Sequence, residues 1–93
     1  MPESDKVVNL SLNASGLPVP DQDPVKVKQK QQKVKWAADF PFTINIEDYT
    51  DLSHGSGGGA HHCTTGYFNE ERIYKYSITA NGKVNDPDLD VKP

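Results

Sequence analysis

The residues of this chain best suited to chemistry stand close together. His54, His61, His62 and Cys63 are all of its histidine and cysteine, and they fall within ten residues of one Gly-rich stretch. Imidazole and thiolate are the ligands that zinc and copper prefer, and a flexible tract could fold His54 back onto His61 and Cys63. The spacing matches none of the established zinc patterns, and on an extended chain the adjacent His61 and His62 face opposite sides. Cys63 reads either as a thiol activated by a neighbouring imidazole or as a small buried apolar residue at the start of a strand. Cys-His catalysis also needs an orienting group and an oxyanion site, and the sequence presents neither. No enzyme activity is expected, and a zinc or copper site on these four residues stands as one of two functional readings.

The second reading starts from charge. Lys26, Lys28, Lys30, Lys33 and Lys35 place half of the ten basic residues in a stretch with no acid, leaving five cations against 13 acids elsewhere. Such a face could meet an acidic protein partner, with Lys26, Lys28, Lys33 and Lys35 as its contact residues. It would also keep a sheet soluble and discourage edge pairing. Nucleic acid is not the expected partner, because a sequence pI near 5.5 lacks a general basic footprint. Asp86, Asp88 and Asp90 alternate as in a calcium loop but lack the glycine and distal glutamate that an EF-hand requires.

Short alternating segments must position these groups. Val8, Leu10 and Leu12 alternate with polar residues, as do Phe42, Ile44 and Ile46, and Tyr74, Tyr76, Ile78 and Ala80. Val25 and Val27, then Val34 and Trp36, flank a Gln-Lys-Gln-Gln turn and read as a β-hairpin with apolar groups on one face and lysines on the other. Trp36 and the tyrosine pair therefore read as core. The stretch 16–24 is proline-rich and reads as an irregular connection. Residues 53–65, with little to bury, read as a mobile loop. Asn81-Gly82 signals a tight turn and Leu89 and Val91 a last strand.

Several of these residues carry a family likeness. Asp23-Pro24-Val25-x-Val27, Val34-x-Trp36, Phe40-Pro41-Phe42-x-Ile44, Tyr74-x-Tyr76-x-Ile78 and Asp86-Pro87-Asp88-Leu89-x-Val91 together resemble small bacterial cupredoxin-like domains. The resemblance implies a β-sandwich. It does not bring blue copper with it, since the segment 81–87, where that family carries its Cys, second His and Met, holds none of the three.

The 93 residues suit one domain. A lone cysteine excludes an internal disulfide, the polar start has no signal-peptide pattern, and no window is apolar enough to span a membrane, so a cytoplasmic setting is expected. The expected structure is a single all-β sandwich over 1–93, cupredoxin-like or immunoglobulin-like, of about seven mostly antiparallel strands. Its expected role is that of a non-enzymatic binding or accessory module for another protein, with the metal-binding protein as the alternative.

Overall fold

Alternation of apolar and polar residues carries most of the chain into strands. The computed structural model describes residues 5–93, which contain ten strands and no helix. They are β1 (Lys6–Leu12), β2 (Pro18–Pro20), β3 (Val25–Lys28), β4 (Val34–Ala38), β5 (Thr43–Ile46), β6 (Leu52–Gly57), β7 (Ala60–Thr65), β8 (Ile73–Ala80), β9 (Lys83–Asn85) and β10 (Asp88–Lys92). One sheet runs β2-β1-β4-β7-β6 and the other β3-β10-β8-β5, with β9 also paired to β8. The polar start at residues 1–4 lies outside the described residues. Among those described, no helix is long and apolar enough to cross a membrane.

The two sheets form a β-sandwich. Val8, Val25, Val27, Val34, Trp36, Ile44, Tyr74, Tyr76, Ile78, Leu89 and Val91 are all buried, each on the apolar phase that its own segment displays. Trp36 is fully buried, and its Nε1 donates to the Tyr76 hydroxyl at 3.3 Å across the core. Burial pushes the Tyr76 hydroxyl pKa up to about 12. Phe68 closes one end of the core, stacked on Tyr49 at 4.5 Å between ring centroids. Six of the eight strand pairings are antiparallel; β1 with β4 and β3 with β10 are parallel.

Four local expectations change. The valine and lysine segments do not form a hairpin: β3 pairs with β10 in one sheet and β4 pairs with β1 and β7 in the other. The reason lies in the link between them. The Gln31 and Gln32 N–H groups both donate to the Lys28 carbonyl, and Lys30, at φ 62°, donates its N–H to the Phe68 carbonyl. The chain thereby crosses from one sheet to the other. Alternation shows which face of a strand is buried but not which neighbour it takes, so both pairings fit the same sequence.

The proline-rich connection contains β2, which pairs antiparallel with β1 through Pro18, Val19 and Pro20. Proline is admitted there because β2 is an edge strand with only one ladder to serve. The Asn81-Gly82 turn, with positive φ at both residues, leads into β9, which raises the strand count beyond seven. The stretch 53–65, expected as a loop, is the hairpin β6–β7. Gly58 and Gly59 have φ of 59° and 83°, the backbone that a two-residue hairpin turn demands. Glycines that suggested freedom in the sequence supply the turn of a regular ladder.

Candidate functional site

The β6–β7 hairpin carries every histidine and the cysteine, so its register decides what they can do. Cross-strand partners are His54 with Cys63, Gly55 with His62 and Ser56 with His61. Residues directly opposite in an antiparallel pair share a face, and successive residues alternate. Cys63 is fully buried opposite Trp36, which sets the inward phase for His54, His61 and Cys63. His62 lies on the outward face. Its imidazole sits over Gly55, where a Cβ would come within 2.6 Å of Nε2.

The four candidate ligands are therefore not brought to one point. Among the described residues no group of three His, Cys, Asp or Glu side chains is arranged to hold a metal ion. Desolvation pushes the Cys63 thiol up to about 11, which keeps it protonated and unreactive at neutral pH. His54 has a different task. Its Nε2 accepts the N–H of Ile44 at 3.1 Å, and Ile44 belongs to β5, the edge of the opposite sheet. The imidazole ties the two sheets together where β6 and β5 meet.

This bond exposes a contrast among the sheet edges. An unpaired edge is a template for another chain, and proteins blunt it with proline, charge or a covering segment. The β2 edge has Pro18 and Pro20. The β3 edge has Lys26 and Lys28, and its Lys28 N–H is taken by the Gln32 side-chain oxygen at 2.9 Å. On β5, His54 covers Ile44, and Tyr49 folds back to pair with Ile46. The six residues of β6 contain no proline and no charge, and among the described residues no further strand pairs with them. Because the two-residue turn makes Gly57 and Ala60 a hydrogen-bonded pair, Gly55 and Ser53 also bond to β7, and the backbone groups of His54 and Ser56 face outward.

The lysines are divided by the crossover. Lys26 and Lys28 lie on the outer face of one sheet, and Lys35 lies on the outer face of the other. Lys33 precedes β4, with its ammonium 4.8 Å from the Tyr67 ring centre and its N–H donating to the Asp5 carboxylate. No single basic face unites the four. Lys6 and Lys92 instead join Lys26 and Lys28 around a concavity floored by Val27 and Gln32. Sequence reasoning missed both, because only the parallel pairing of β3 with β10 and the nearness of β1 bring them there.

The acids serve local pairs. Asp88 meets Lys75 at 2.8 Å, Asp90 meets Lys92 at 3.0 Å and Asp48 meets Arg72 at 3.5 Å. A surface hollow of about 610 Å³ opens beside the ends of β1 and β4, with Asp39 as the one ionisable side chain on its wall. No protein family, curated protein or solved structure matches the chain.

Proposed function

We propose that this protein is a non-enzymatic binding module that takes an extended segment of another protein as an added strand on β6. The observation that carries the reading is the state of the edges: β2, β3 and β5 are each blunted, whereas β6 presents the outward backbone groups of His54 and Ser56 with nothing in its sequence to repel a chain. Strand addition draws affinity from main-chain hydrogen bonds and specificity from alternate side chains. The flanks suit this role. Gly57 leaves the outer side of β6 open beside the turn, and the His54 bond to Ile44 holds the strand against the opposite sheet. A zinc or copper site on His54, His61, His62 and Cys63 would require one ligand to cross the sheet, so the hairpin's geometry favours docking over metal.

Selection of short linear peptides from a displayed library tests this reading. Peptides that bind are expected to slow hydrogen exchange at the His54 and Ser56 amides and to lose affinity for Ser56→Pro, which removes an outward N–H without touching the β7 ladder. Selected peptides that bind Ser56→Pro unchanged and leave both amides exchanging would overturn it.

A further inference from the structure

Taken as the unblunted edge on which the proposed function rests, β6 is also complementary to itself. Its outward backbone groups are the N–H and C=O of His54 and Ser56. A two-fold axis perpendicular to the sheet lays a second β6 antiparallel on the first, and the choice of register is then narrow. Centred on Gly55, the pairing sets His54 opposite Ser56 of the second copy and Ser56 opposite its His54, so every outward N–H and C=O of both residues is used. Centred on His54, it calls on the Leu52 N–H, which already donates to the Thr50 carbonyl at 2.8 Å. Centred on Ser56, it calls on Gly58, which has turned out of the ladder at φ 59°. Only the Gly55 register satisfies the edge without breaking a bond or leaving the strand.

The side chains agree with that register. Gly55 meets Gly55 on the axis as a non-hydrogen-bonded pair, where Cα atoms approach to about 4.5 Å. His62 stands over Gly55, with Nε2 2.6 Å from where a Cβ would lie, so its imidazole takes the place that a side chain of residue 55 would fill. Pairing the two glycines brings two imidazoles together on the outer face, in the manner of a cross-strand aromatic pair. Charge does not oppose the contact. The six residues of β6 include no Lys, Arg, Asp or Glu, and Asp51, just before the strand, falls toward the Gly58-Gly59 turn of the second copy rather than toward an acid.

We infer that β6 pairs with β6 of a second copy of this chain, antiparallel about Gly55, and that this dimer opens before a partner strand docks. Both occupants use the His54 and Ser56 groups, so they exclude each other, and self-pairing sets the protein concentration above which the docking edge is shielded. The assembly is closed. Two five-stranded sheets join at β6, and the joined sheet ends on β2 at both sides, where Pro18 and Pro20 stop further growth.

Sedimentation velocity of the intact chain from about 10 µM to about 1 mM tests the pairing, together with isotope-filtered NOE spectra of mixed labelled and unlabelled protein. A ladder this short predicts a dimer that dissociates within that range of concentration. An intermolecular NOE is expected between the Gly55 α protons, which face each other across a non-hydrogen-bonded pair. Ser56→Pro is expected to be monomeric throughout, and Lys26→Gln, on the β3 edge, to dimerise as the parent does. Retained dispersion of the amide spectrum shows that each variant is folded. A parent chain that is monomeric throughout, a dimer that persists in Ser56→Pro, or a dimer whose intermolecular NOEs miss Gly55 would each overturn the inference. If the parent stays monomeric while selected peptides still slow exchange at the His54 and Ser56 amides, the dimer alone falls; if neither a peptide nor a second copy slows it, the strand-docking reading falls as well.

Discussion

The two seams of the sandwich meet the same problem with different chemistry. Where β1 passes β3, lysines ring the opening, and Gln32 accepts an edge amide from Lys28. Where β6 meets β5, the six residues of β6 include no Lys, Arg, Asp or Glu, and His54 accepts an edge amide from Ile44. Each seam therefore uses a side-chain acceptor to satisfy an edge N–H that the ladders do not serve. They differ in what is left over. At the lysine seam Lys26, Lys28 and the Gln32 acceptor blunt the β3 edge, while the histidine seam retains an unblunted β6 edge suited to a chain.

The largest effect should come from charge placed beneath the histidine seam. Cys63→Asp would bury an unpaired carboxylate opposite Trp36 and is expected to cost at least about 3 kcal/mol, enough to unfold a domain of this size in mild denaturant. Lys28→Asp, on the outward phase of the lysine seam, should cost far less. Urea unfolding of the two variants measures the difference, and equal losses would break the assignment of inward and outward phases.

Alkaline pH should act next most strongly. Cys63 keeps its proton in the folded chain to about 11 and Tyr76 to about 12, above their usual values of 9.0 and 10.0. Over those intervals the unfolded state binds fewer protons than the folded one, so stability falls as pH rises. Cys63 alone should remove about 2 kcal/mol between pH 9 and 11. In Cys63→Ala the plateau drops through loss of packing but the slope across that range flattens, as denaturant midpoints against pH would record.

Removing either side-chain acceptor leaves an edge amide unsatisfied. His54→Phe and Gln32→Leu should each cost about 1–2 kcal/mol, with His54→Phe also loosening β6 against β5. Hydrogen exchange at the Ile44 and Lys28 amides should quicken only in the variant that lost the matching acceptor. Smallest of all should be Ser56→Pro, within about 1 kcal/mol of the parent in thermal unfolding, because the N–H it removes does not serve β7. A large loss there would mean that β6 is read in the wrong register.

Much of this fold is legible in the sequence, because period-two alternation places Val8, Val27, Trp36, Tyr76 and Leu89 inside without knowledge of their partners. Pairing is a separate quantity. Val25 and Val27 satisfy alternation equally well beside Val34 or beside Leu89 and Val91, and the parallel pairing with β10 depends on residues about sixty positions away. The candidate site suffered from the same gap. A run rich in glycine suggests freedom, yet Gly58-Gly59 fits a tight turn that aligns His54 with Cys63 and turns His62 outward. The lysine recess was half visible: Lys26 and Lys28 stand together in sequence, whereas Lys6 and Lys92 reach them only through two sheets.

Native-state hydrogen exchange of the β6–β7 hairpin tests the central claim most directly. If β6 is an open edge, the His54 and Ser56 amides exchange at rates close to those of an unstructured chain while Gly55, Cys63 and Ile44 remain protected. Protection of His54 and Ser56 equal to that of Gly55 in the monomer would contradict it, since the edge would then be closed from within.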